Sequence, residues 1–112
     1  MKLLIHVGEI DKWKTAIGNA KNAKKIKEDC EIEIVANSAS VVALKEKIAG
    51  NLGLIDGFKE LKDLNVKIKA CNNSLKTFDL KKEELLEEVI IVKAAVIEIM
   101  EKQQEGYSYL RV

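Results

Sequence analysis

Five short apolar or alternating runs, each separated by segments of helical periodicity, set the pattern of this chain. Lys2 to Val7 carries Leu3-Leu4-Ile5 and predicts a first strand. Trp13, Ala16, Ile17, Ala20 and Ala23 then recur at three- and four-residue steps, which predicts a helix with Asp11 as its N-cap. From Glu31 to Ala36, Ile32 and Ile34 alternate with Glu31 and Glu33, as in a strand with one wetter face. Asn37-Ser38-Ala39-Ser40 reads as a turn with capping chemistry. A helix is expected after it through Val41, Val42, Leu44, Lys45 and Ile48, stopping at Gly50. Gly50, Gly53 and Gly57 are placed in a loop, and Asp56 caps a short helix through Phe58, Leu61 and Leu64.

Val66 to Ala70 predicts the third strand, again alternating with charge. Cys71 follows, then a short helical stretch, and Asp79 is read as the cap of a helix over Leu80 to Glu87. Val89 to Val92 is a fourth strand. Ala94 to Gln104 is a helix with Val96, Ile99, Met100 and Gln103 on one face; Gly106 ends it, and Tyr107 to Leu110 is the last strand. This alternation predicts one α/β domain over residues 1–112, a parallel sheet with helices on both faces. The first and fourth strands are continuous apolar runs, as strands covered on both faces are. An edge position for the fourth would call for cover from another subunit.

Composition narrows the function classes. The 112 residues include 19 basic and 18 acidic side chains, a net charge of +1 that gives no case for nucleic acid. Eighteen of the basic residues are lysines and one is Arg111; lysine is a poor choice for bidentate phosphate reading, so most lysines read as solvated surface. No apolar run approaches the roughly 20 residues of a membrane span. Met1-Lys2 leads straight into Leu3-Leu4-Ile5, too short for a secretory leader. Cys30 and Cys71 are too far apart in sequence for a CxxC redox motif, and with His6 as the single histidine no zinc set is present. Free cysteines without an export signal point to the cytoplasm. The loop glycines lack the GxGxxG spacing of a phosphate cradle.

Candidate chemistry centres on KACNNSL, residues 69–75. In a parallel sheet, ligands and reactions gather at the carboxyl ends of strands. Cys71 stands there, just before a helix whose free N–H groups and dipole favour thiolate over thiol. Asn72, Asn73 and Ser74 either stabilise an anion or simply cap that helix. Asn37 and His6 lie at the same edge and complete the candidate binding residues. A buried cysteine that only fills space is the alternative, and Tyr107 and Tyr109 read as packing residues. A phosphorylated receiver domain would need a carboxylate where Cys71 stands. Nor is Cys71 followed by the basic, anion-cradling loop of a rhodanese.

The chain resembles the DsrE/DsrF-like family of small sulfur-relay proteins. The resemblance begins at IHVGEIDKW (5–13), continues through EIEIVANSASV (31–41), is clearest at VKIKACNNSL (66–75) and closes with KQQEGYSYLRV (102–112). It implies a three-layer α/β/α sandwich with a five-stranded, mainly parallel sheet of flavodoxin-like appearance. It also implies homotrimers or homohexamers, with no cofactor. Carried over, Cys71 is the persulfide acceptor, taking sulfur from a donor protein and passing it to an acceptor. The chain departs from relatives in having Ser38 and Ser40 where they often have glycines, and Ala94-Ala95 where many have Ser-Gly. A ligand- or protein-binding oligomer with an inert Cys71 is the second hypothesis on the same fold.

Overall fold

The computed structural model describes residues 1–112. Five strands, β1 (Lys2–Val7), β2 (Glu31–Ala36), β3 (Lys67–Cys71), β4 (Ile90–Val92) and β5 (Ser108–Arg111), form one sheet in the order β4-β3-β2-β1-β5, every pair parallel. The helices are α1 (Trp13–Ile26), α2 (Glu46–Asn51), α3 (Ile55–Asp63), α4 (Asn72–Thr77) and α5 (Ala95–Gln104). From β1 to β4 the chain steps one way across the sheet, then α5 carries it back to the far side of β1. Right-handed crossovers therefore put α1 and α3 on one face and α5 alone on the other, the three layers expected from the sequence.

The two faces differ in kind. Ile5, Val7, Ile32, Ile34, Ile68 and Ala70 pack with α1 and α3 in a core of 22 buried residues. Trp13 anchors it, fully buried, with its indole N–H donating to the Ser40 carbonyl at 2.8 Å and Phe58 edge-on at 5.0 Å. Under α5 the apolar cluster is only Leu4, Val35, Cys71 and Ala95, flanked by Ile99 and Tyr107. The rest of that contact is ionic: Lys69 Nζ lies 2.9 Å from Glu33 and 2.8 Å from Glu98.

Several sequence expectations need correction. Asp11 is not a cap; it sits inside a 3-10 turn, Ile10–Lys12, that leads into α1. The helix expected from Val41 to Gly50 is broken. Ser38–Leu44 winds as 3-10 turns, Lys45 is extended and bridges Leu85, and α2 starts only at Glu46 and runs past Gly50. Ser40, Val41, Ala43 and Leu44 are all buried, which one amphipathic stripe does not achieve. Gly57 lies within α3, where a Cβ would meet Ile17 Cδ1 at 3.0 Å, and Asp56 is in the first turn behind the cap residue Leu54.

The helix expected over Leu80 to Glu87 is an extended strap with one 3-10 turn, Lys82–Glu84. Asp79 caps nothing; its φ is 51°, and the strap is held by Leu86 N–H donating to Leu44 O. The third and last strands each lie one residue later than expected. Strand β4 is three residues long and lies at the sheet edge, and with Ile90 43% exposed it is not covered on both faces as expected.

The expected wetter face of β2 and β3 holds at its amino ends, where Glu31 and Lys67 are exposed, but not at Glu33, which is 2% exposed. Burial, then its contact with Glu98, pushes the Glu33 carboxyl up to about 7 against the pull of Lys69. Glu98 is pushed up by burial too, but hydrogen bonds to Glu33 and Lys69 and the charges of Lys69 and Lys102 bring it down to about 2.

The signs of these shifts are opposite. Glu98 stabilises the fold above the unfolded carboxylate range, and this is lost as pH falls toward 2. Glu33 stabilises it in protonated form, fully below about 4.5, and this is lost as pH rises through about 7. His6, whose pKa is lowered chiefly by burial, works against Glu33 over part of that range. Denaturant titrations of wild type and Glu33→Gln from pH 4 to 8 separate the two. The stability difference between them should change with pH, at most by about 1.4 kcal/mol per unit, and level off above neutrality. A pH-independent difference would refute the buried proton.

Candidate functional site

Cys71 ends β3 and is the N-cap residue of α4, with φ −69° and ψ 118°. Its neighbour across the sheet is Val92, the last residue of β4. Because α5 begins three residues after β4, its first turn also lies against Cys71, and Ala95 and Cys71 share the small cluster under that helix. Two helix starts therefore meet at one sulfur.

The thiol is 6% exposed, and burial alone would push its pKa up. The net shift is downward. The Ala95 N–H contributes most, followed by the Ser74 hydroxyl and the Ser74 and Asn73 backbone N–H groups. These are donors an anion recruits and a neutral thiol needs far less. The Ser74 hydroxyl is itself oriented: its oxygen accepts the Ser38 N–H at 2.8 Å, which leaves its proton for the sulfur. Ser38 holds this position at φ 52°, the left-handed region where glycine is at ease and serine costs about 1 kcal/mol. Ala94 caps α5 without a side-chain hydrogen bond, so no hydroxyl competes for the N–H groups of its first turn.

A second cluster sits two strands away on the same face. His6 is 7% exposed and its ring is held at both nitrogens, by Tyr109 Oη at 2.6 Å on Nδ1 and Asn37 Oδ1 at 2.9 Å on Nε2. The arrangement that satisfies all three groups puts the proton on Nε2 and has Tyr109 donate to Nδ1. Burial lowers the His6 pKa, the Asn37 bond raises it and the Arg111 charge lowers it, so the ring is neutral near pH 7. Asn37 is one residue beyond the last paired position of β2, level with Cys71 in register, yet its carbonyl oxygen is engaged by His6.

The sequence-derived candidates thus divide. Cys71 and Asn73 are brought together, Asn73 through its backbone rather than its side chain. Asn72 opens α4 but is not among the groups that lower the thiol pKa. Asn37 and His6 form their own pair with Tyr109, which sequence reading took for packing. Ala95 was noted only as a departure from Ser-Gly, and its role was not foreseen because a backbone donor leaves no residue signature. Ser38 was noted as a turn residue and as a departure from glycine, not as a partner of Ser74. No group of three or more His, Cys, Asp or Glu side chains is placed to hold a metal ion.

The fold and site define a parallel α/β protein with a cysteine at a strand end, between the starts of two helices. The family model for the DsrE/DsrF-like family matches residues 1–112, and the chain belongs to that family, which is generally associated with sulfur relay. Among solved structures it is similar to MTH1491 from Methanobacterium thermoautotrophicum, a protein of unknown function, at 28% identity and TM-score 0.88, covering 99% of this chain and 98% of that one. YchN from E. coli superposes with TM-score 0.74 at 14% identity, both chains fully covered. BT1422 from Bacteroides thetaiotaomicron, a conserved protein of unknown function, gives TM-score 0.69 at 17% identity over 97% of this chain and 94% of that one. These last two likenesses speak to the fold alone. No curated protein matches the chain.

The donor set makes Ser74 the sensitive position. Ser74→Ala removes one hydrogen bond to a charged sulfur, worth about 1.5 kcal/mol at the low end of such bonds. The thiol pKa should rise by about one unit, and alkylation of Cys71 at pH 7 should slow by up to about tenfold. Iodoacetamide kinetics followed by peptide mass spectrometry read both quantities; an unchanged profile would remove Ser74 from the site.

Proposed function

We propose that the protein is a sulfur carrier in an intracellular relay, holding a persulfide on Cys71 and passing its outer sulfur to a partner protein. The observation that carries this reading is the place of Cys71 at the end of β3, as the N-cap residue of α4 and packed against Ala95 at the start of α5, a setting whose donors draw the thiol pKa down against burial. The Cys71 thiolate attacks the outer sulfur of a donor persulfide. A new S–S bond forms to Cys71, the donor's S–S bond breaks, and the donor leaves as a thiolate. In the return step an acceptor thiolate attacks the outer sulfur and Cys71 leaves as thiolate, so no external oxidant or reductant enters. A low pKa serves the second step directly, because better-stabilised thiolates leave faster. Asn37 and Asn72, both half-buried, fit this reading as groups that a donor or acceptor meets, and buried His6 fits it by holding the Asn37 side chain.

One observation favours a second reading. At 6% exposure Cys71 is as enclosed as many inert cysteines, which suits a ligand- or protein-binding oligomer with a non-catalytic thiol. Exposure to a persulfide donor separates the two. Intact and peptide masses should show one added sulfur on Cys71, none on Cys30, and none in Cys71→Ser. Failure of Cys71 to load in the folded protein, across several donors, would favour the binding module.

Self-association, as a homotrimer or homohexamer, belongs to both readings. Ile90 on the edge strand is 43% exposed, and the outward side of α5 presents Val96, Ile97 and Met100 at 62%, 45% and 50%. An apolar edge and helix face of this kind suit burial against a second copy. Val96→Glu combined with Met100→Lys should leave the circular dichroism spectrum intact and convert the oligomer to monomer in sedimentation velocity. A wild-type monomer at micromolar concentration would rule this out.

A further inference from the structure

Glu33 Oε2 is buried with no hydrogen-bond partner, while Oε1 of the same carboxyl lies 2.9 Å from Lys69. An ionised carboxylate with a dry, unpaired oxygen is costly. Protonated, the carboxyl can donate, and the Glu98 carboxylate is the neighbouring acceptor. Glu98 also takes Lys69 at 2.8 Å and Lys102 at 3.6 Å. Lys69 faces Glu33 from β3, and Glu98 and Lys102 face it from α5. Tyr107 and Glu105 stand at the turn into β5, and Glu31 two residues back on β2. A cavity of about 650 Å³, lined in part by Glu33, Lys69 and Lys102, opens at the amino ends of β2 and β3 and connects the cluster to solvent.

This cluster spans the same two elements as the sulfur contact. Lys69 precedes Cys71 by two residues on β3, so both side chains point to the α5 face. Glu98 follows Ala95 by three residues on α5, one turn along. The Lys69–Glu98 pair therefore ties to β3 the turn of helix whose first N–H serves Cys71. We propose that Lys69, Glu98 and a proton-bearing Glu33 are positioning residues for Cys71. They hold the first turn of α5 so that the Ala95 N–H stays on sulfur, and they loosen it when Glu33 releases its proton into the cavity. This rests on the reading of Cys71 as a reactive thiolate. With Glu33 ionised, two carboxylates compete for Lys69, and a new negative charge enters the face that carries Cys71. Both changes disfavour the thiolate.

The test is the pH profile of Cys71 alkylation by iodoacetamide, read by mass spectrometry, in wild type, Glu33→Gln, Glu98→Gln, Lys69→Met and Lys69→Arg. No sulfur donor is used, so failure of the clamp and failure of persulfide loading give separate results. In wild type a second inflection should appear near neutral pH beside that of the thiol, and Glu33→Gln should remove it. Lys69→Met and Glu98→Gln should raise the thiol pKa by about one unit, or about tenfold less thiolate at pH 7, with partial recovery in Lys69→Arg. Should Lys69→Met not fold, the Glu33→Gln comparison decides alone. A wild-type profile with one inflection, unaltered by Glu33→Gln, would overturn the proposal. So would folded Lys69→Met and Glu98→Gln with the wild-type thiol pKa, which would leave α5 held by Ala95 and Ile99 packing.

Discussion

One lysine held between the carboxyl of Glu33 and the carboxylate of Glu98 organises the α5 face. Lys69 is 14% exposed at its side chain, and removing a partner from such a buried arrangement costs about 3–5 kcal/mol, because it strands a charge away from water. The demand that Glu98 meet Lys69 fixes the rotation of α5. The turn carrying Ala95, Glu98, Ile99 and Lys102 faces the sheet, and the apolar side chains of Val96, Ile97 and Met100 are left outside. Inner and outer faces of this helix are therefore set by one decision, and both the sulfur site and the apolar outer surface follow from it.

Topology supplies the other half. With consecutive steps from β1 to β4, right-handed crossovers send the early helices to one face and leave the return helix alone on the other. The start of α5 then lies over the carboxyl ends of β3 and β4, where Cys71 and Val92 are paired. A cysteine at the end of β3 meets the N–H groups of α4 by sequence adjacency and those of α5 by this return path. Cys30 is as buried as Cys71, at 5%, but it stands before β2 at the opposite end of the sheet and meets no such convergence.

The strands and the larger core were legible because their signals are local. Ile32 and Ile34 alternate, Trp13 to Ala20 repeat at helical steps, and both patterns survive packing unchanged. The strap over residues 80–87 was not, since Leu80, Leu85 and Leu86 are drawn to the main core from an extended backbone that pairs with Lys45. For α5 the period was right and the face wrong. Apolar spacing pointed Val96 and Met100 inward, but a buried charge on β3 outweighed it, and that charge is visible only once Lys69 and Glu33 are known to be neighbours across the sheet. Of the site, the cysteine and its strand-to-helix junction could be read directly. The Ala95 N–H, the Ser38–Ser74 relay and the Tyr109–His6–Asn37 chain are tertiary, and a backbone donor has no side chain to announce it.

Burial and reactivity pull against each other at Cys71. A thiol at 6% exposure is protected from adventitious oxidants, which suits a sulfur meant to be carried, but desolvation alone would leave it protonated and inert. The donors reverse that shift without opening the site. Most are backbone N–H groups at helix starts, already deprived of intrahelical partners, so they serve the anion at little reorganisation cost. A thiolate stabilised this way is a weaker nucleophile than one of higher pKa but a better leaving group. For a carrier the balance matters in both directions, since the same sulfur must take an atom and then release it. Under the proposed carrier role, an environment that stabilises the thiolate without exposing it serves the release step most directly.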